Sequence, residues 1–207
     1  MKYIIEAFNQ NKMLFLFFIV MCILTVLMII KAGKAVRNTN LHKAENIKKL
    51  DRMKYLREKY NDITAEDILK DDSDDLFEGL VFNIQYDLQK SDNMNTSFEV
   101  FSENQKMLYA LHYFLEECAD SPSNFFRNYG PPLTPYVPLA VEKIFNNQIF
   151  SENINNLYNA YDEENEDVSV IKSDIEQYDN AIKNCLGDIN VNHSVCEYLK
   201  KNAEKCV

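Results

Sequence analysis

Glycine is scarce in this sequence. Gly33, Gly79, Gly130 and Gly187 are the four in 207 residues. No glycine-rich loop that could cradle a phosphate is present. All five prolines fall between Pro122 and Pro138. So few turn formers predict helices joined by short polar loops. Histidine is limited to His42, His112 and His193, and no histidine-centred triad or nucleophile elbow appears. Cations are scarce after Tyr60. From Asn61 to Val207 ten Lys/Arg face 28 Asp/Glu, a net charge of −18. A surface of that sign repels phosphate, which argues against direct DNA or RNA binding by this part.

What the N-terminal part has is a long apolar run, Met13 to Ile30, with Thr25 as its only clearly polar residue. As a helix it would rise about 27 Å, close to the roughly 30 Å of a bilayer's hydrocarbon core. Lys12 and Lys31 close its ends. The run is longer than the apolar part of a cleaved signal peptide, and no small-x-small site precedes Lys31. The expectation is a single-pass transmembrane helix over residues 13–30, after a short tail over residues 1–12. A basic juxtamembrane segment follows over residues 31–60, with ten Lys/Arg against three Asp/Glu. Lys31, Lys34, Arg37, Lys48 and Lys49 are its candidate membrane-surface residues, suited to anionic lipid. An ordinary solvated helix fits the same pattern. The positive-inside rule favours the cytoplasmic side for everything downstream.

Residues 61–207 are expected to form a compact, multi-helix acidic domain, making the chain all-α. Phe77, Leu80, Val81, Ile84 and Leu88 repeat at helical spacing, with Asp74 and Asp75 at the start of the stripe. Met107, Leu108, Leu111, Phe114, Leu115 and Cys118 form a second stripe. Ile149, Phe150, Ile154, Leu157, Tyr158 and Tyr161 form a third. Val168, Ile171, Ile175, Tyr178, Ile182 and Leu186 form a fourth. Val137 to Phe145 and Val195 to Ala203 also read as helices, and Thr96 to Phe101 is a weak strand candidate.

Residues that could carry chemistry are few. His112 and Glu116 share a helix face, but two ligands do not make a metal site. Cys185, His193, Cys196 and Cys206 suit zinc by type, yet their gaps lack the tight Cys-x-x-Cys spacing of structural sites. Asp71, Asp72, Asp74 and Asp75 lack the glycine and terminal glutamate of a calcium loop. No cofactor, metal or enzymatic reaction is expected. Four cysteines in the acidic part leave reduced thiols or disulfides open, according to compartment.

The stretch from Leu76 to Tyr161 resembles the bacterial DNA-mimic protein family, a C-terminal domain type shared with many bacterial proteins. Gln105 to Glu117 (QKMLYALHYFLEE), Asn124 to Gly130 (NFFRNYG), the helix Pro138 to Phe145 and the helix with Leu157, Tyr158 and Ala160 carry the likeness. Leu108, Tyr109, Glu116, Phe125, Phe126, Asn128 and Gly130 fit its order. The sequence departs from it at Cys118 to Ser123 (CADSPS), where the family has an Asn-Asn-Gly-Gly turn. The resemblance implies an all-α fold and binding to a protein that itself binds DNA.

The functional expectation is therefore a membrane-anchored, non-enzymatic interaction protein that binds a basic, DNA-binding protein by charge mimicry. Its candidate contacts are Asp71, Asp72, Asp74 and Asp75 with Asp162, Glu163, Glu164 and Glu166. Phe125, Phe126 and Asn128 are further candidates, although two phenylalanines are also natural core residues. A scaffold that oligomerises through its N-terminal helix and basic segment is one alternative. A disulfide-stabilised module outside the cell is another.

Overall fold

A computed structural model describes residues 12–161 and 172–207. The expected tail over residues 1–12 lies outside it but for Lys12. So do Val168 and Ile171 of the fourth stripe, and Asp162, Glu163, Glu164 and Glu166. The chain divides into two compact units, Met1–Arg52 and Met53–Val207.

One helix, α1 (Lys12–Tyr60), holds the whole described part of the first unit and reaches into the second. Thr25 behaves as its chemistry requires, donating its hydroxyl to the Met21 carbonyl at 2.8 Å. The membrane expectation is corrected here. Among the described residues no helix is long and apolar enough to cross a membrane. The transmembrane assignment of residues 13–30 falls. The single-pass localisation and the cytoplasmic placement derived from it fall with it. Leu16 to Met28 is instead an exposed apolar stretch of helix.

The second unit is all-α, with no strand among the described residues. It begins at Met53 rather than Asn61, because Leu56 and Tyr60 at the end of α1 are core residues, 0% and 2% exposed. After α1 come α2 (Ala65–Lys70), α3 (Asp75–Gln89), α4 (Met94–Val100), α5 (Glu103–Glu117) and α6 (Pro122–Asn128). Then follow α7 (Tyr136–Phe145), α8 (Gln148–Ala160), α9 (Lys172–Asp188), α10 (Val191–Lys201) and α11 (Ala203–Cys206). Side chains set the starts of several helices. Thr64 and Asp67 close a capping box on α2, and Ser102 and Gln105 close one on α5. Asn93, Asn147 and Asn190 cap α4, α8 and α10 through their side-chain oxygens. Each such cap replaces hydrogen bonds that a helix end cannot make for itself.

Helix α5 is the axis of the core. Met107, Leu108, Ala110, Leu111 and Phe114 have no exposed surface. Burying a side chain the size of leucine or phenylalanine contributes roughly 1.5–3 kcal/mol. Around α5 lie α3, α6, α7 and α11, with α8 against α7 and α9 against α8. The stripe on α3 is buried throughout, as its spacing predicts. On α8 Phe150, Ile154 and Leu157 are buried, while Ile149 is exposed. Thr96 to Phe101 is no strand. Asn93 accepts hydrogen bonds from the amides of Asn95 and Thr96 and starts α4 there, with Phe98 turned into the core.

Candidate functional site

Asp71, Asp72, Asp74 and Asp75 occupy the connection into α3, beside the end of α1. A buried tyrosine organises them. The Tyr60 hydroxyl donates to Asp71 Oδ2 at 2.8 Å and stands 2.8 Å from Ser73 Oγ. The Ser73 amide donates to the other Asp71 oxygen at 2.7 Å. Lys59 Nζ donates to Ser73 Oγ at 3.2 Å and lies 3.8 Å from Asp71 and 3.9 Å from Asp75. Burial works against the charge on Asp71, but the Ser73 hydroxyl and amide and the Tyr60 hydroxyl outweigh it. The carboxyl is held below its ordinary range. Burial pushes the Tyr60 phenol up, so it is a proton donor at neutral pH and no nucleophile.

The four carboxylates are therefore not equivalent. Asp71 is spent inside the fold and Asp75 is half-buried near Lys59. Asp72 pairs with Lys200 of α10 while remaining largely exposed. Asp74 stands at the N-terminus of α3 without bonding its amides, and it is exposed. An open groove of about 640 Å³ runs beside this cluster, lined among others by Arg57, Tyr60, Asp62, Asp67 and Asp71. Its walls carry both signs of charge, and Asp67 is committed to Thr64.

Across the second unit the same accounting recurs, partly between residues three or four apart in the sequence and partly between residues far apart in it. Lys70, Lys90, Lys106, Lys143, Lys200 and Lys201 each face a carboxylate of their own fold. Lys106 is nearly buried, with its ammonium 2.8 Å from Glu99 and over the rings of Phe98 and Tyr136. Lys183 donates to the Asp120 carbonyl, and Arg127 donates to the Tyr161 hydroxyl at 3.1 Å. Exposed pairs of this kind stabilise little. Their consequence is for surface charge. Asp74, Asp92, Glu142, Asp188 and Glu204 are exposed and face no cation among the described residues. The unit's few cations are largely used up, and its excess of carboxylates faces outward.

The remaining candidates separate clearly. Phe125 and Phe126 are core residues, 0% and 5% exposed, in edge contact with each other and packed against Phe114. Neither offers a contact surface. Asn128 is exposed, near Glu117. Lys31, Lys48 and Lys49 are exposed on α1, which also carries Lys34 and Arg37. His112 is wedged between Phe77 and Phe82, with Glu116 3.8 Å away. Burial lowers its pKa, against the opposing pull of Glu116 and Glu78. No cluster of His, Cys, Asp and Glu among the described residues could hold a metal. Cys22, Cys118, Cys185, Cys196 and Cys206 are all free thiols.

No protein-family model matches the chain, and neither a curated protein nor a solved structure is detectably similar to it.

Proposed function

We propose that the Met53–Val207 unit is a non-enzymatic interaction module that binds a basic protein through its outward carboxylates. The observation that carries this reading is the internal use of its lysines. With Lys70, Lys90, Lys106, Lys143, Lys200 and Lys201 paired at home, the acidic excess is left for a partner. A protein that neutralises DNA phosphates presents an array of Lys and Arg. A helical unit that holds carboxylates on a packed frame competes for such an array and attracts it from a distance. The resemblance of Leu76 to Tyr161 to the DNA-mimic family points to the same kind of partner.

The contact face differs from a simple acidic cluster. Asp71 belongs to the fold, whereas Asp72, Asp74, Asp92, Glu142, Asp188 and Glu204 are outward. The test is calorimetric titration of the chain into a basic DNA-binding protein. Neutralising Asp74, Asp92, Glu142, Asp188 and Glu204 as Asn or Gln should weaken binding at least tenfold, and so should raising the salt. Affinity that ignores both changes would remove the proposal.

A further inference from the structure

Four aromatic rings, those of Phe126, Tyr129, Tyr158 and Tyr161, line one small cavity of the second unit together with Thr134. Its volume is about 70 Å³. Phe126, 5% exposed, is its floor, and the three tyrosines are half-buried. The Phe126 ring stands 6.0 Å from that of Tyr158, tilted by 56°, and 6.5 Å from that of Tyr161, nearly parallel to it. Arg127 holds Tyr161 in place by donating to its hydroxyl at 3.1 Å. Thr134 is 5% exposed, and its hydroxyl has no hydrogen-bond partner among the described residues. A hydroxyl at that depth costs its desolvation unless something in the cavity pairs with it.

We infer that this cavity is a cation cage that takes the ammonium end of a lysine side chain from the unit's basic partner. This rests on the reading of the unit as a binder of basic protein, and it places one side chain of that protein. An aromatic ring is negative over its faces, so rings that line one cavity attract a cation that has left water. The Thr134 hydroxyl accepts an N–H from the ammonium, a bond that a fully substituted cation cannot give. Lysine suits so small a cavity better than arginine. Its charge is a compact group on a flexible stem, whereas guanidinium is a plane with five donors to satisfy. Burial raises the Tyr129 phenol, and the charges of Glu117 and Glu116 raise it further, so two carboxylates stand near that side of the cavity. Arg127 is the opposing charge, but it is exposed and its guanidinium is engaged with Tyr161. An anion is disfavoured by the same rings and by the −18 net charge of residues 61–207.

Ligand-observed NMR on the full chain with n-butylammonium, a lysine side chain without its backbone, tests this. The neutral n-butanol and the anionic n-butyrate are the controls. The ammonium should bind, with its methylene protons shifted upfield by the ring currents of the cage, and both controls should bind about tenfold more weakly or worse. Tyr158→Leu and Tyr161→Leu should each weaken the ammonium by about tenfold. Tyr161→Phe keeps the ring and should retain most of the affinity. Thr134→Val keeps the shape without the acceptor and should lose about fivefold. Circular dichroism checks that each variant remains helical. A wild-type chain that does not bind the ammonium, binding without the upfield shift, equal binding of either control, or affinity unmoved in the leucine variants would overturn the inference. Wild-type and Tyr161→Leu chains are also titrated with the basic DNA-binding protein, which should bind the variant more weakly. If that protein binds both chains equally, the outward carboxylates remain its site and the cage inference alone is lost. If it does not bind the wild-type chain at all, the reading of the unit as a binder of basic protein fails, and the source of the lysine fails with it.

Discussion

The ring of Tyr60 lies directly over Gly79, so close that a Cβ on Gly79 would stand 2.0 Å from Tyr60 Cδ2. The end of α1 is thereby seated on α3, and the Tyr60 hydroxyl reaches Asp71 and Ser73. Gly79→Ala should destabilise the protein by about 1–3 kcal/mol, the usual range for overpacking. Tyr60→Leu should cost stability through the lost hydroxyl. The double variant should be less destabilised than the two losses added together, because the smaller side chain relieves the clash. Denaturant unfolding of the two single variants and the double variant measures this.

A second relationship spans the fold. Asp179 on α9 accepts from the Ser123 amide at 2.8 Å and the Ser123 hydroxyl at 2.7 Å, and also from the Ser121 hydroxyl. It caps α6, whose own Ser121 makes no capping bond. Asp179→Ala leaves buried Ser123 without its partner and should cost about 1–3 kcal/mol. Asp179→Asn keeps an acceptor oxygen and should cost less. Comparison of their unfolding midpoints checks the order.

His112 predicts a pH dependence. Burial sets its folded pKa below the ordinary 6.5. Between those two values the unfolded chain binds the proton and the folded chain does not, so stability falls as pH drops below about 6.5. Above that value His112 is neutral in both states and contributes no slope. The drop ends once pH passes the folded pKa. Glu116 and Glu78 face the ring and moderate the effect. In His112→Phe the slope between about pH 7 and pH 6 should shrink, as thermal unfolding across that range would show.

Thiol reactivity should follow burial. Cys118 and Cys206 are buried, and burial raises both thiols, Cys206 to about 11. Cys185 and Cys196 are only half-buried and are raised less far. Alkylation at neutral pH, followed by mass spectrometry, should label Cys185 and Cys196 well before Cys118 and Cys206. Since no disulfide joins them, omitting reductant should leave the order unchanged.

Where apolar spacing alone decides, the fold is readable in the sequence. The α3 stripe Phe77, Leu80, Val81, Ile84 and Leu88 is buried at every position. Where a polar group elsewhere in the chain decides, it is not. Helix α6 was hidden behind Pro122 and a cap supplied by Asp179, 56 residues on from Ser123. Thr96 to Phe101 looked extended from its β-branched and aromatic residues, yet the Asn93 side chain starts a helix there. The candidate site was half legible. Spacing shows a run of aspartates but cannot show that Tyr60 and Ser73 claim Asp71, or that Lys200 comes from far along the chain to Asp72. Only folding reveals which charges are spent and which face out.

The most direct measurement of that outward charge is competition with DNA. A basic DNA-binding protein is held on a fluorescent duplex at about 0.1 M salt, where screening still reaches about 10 Å, and the full chain is titrated in. Displacement of the duplex at stoichiometric chain, abolished by neutralising Asp74, Asp92, Glu142, Asp188 and Glu204, is the result this account predicts. A duplex that stays bound, or displacement that is unchanged by that neutralisation, would contradict it.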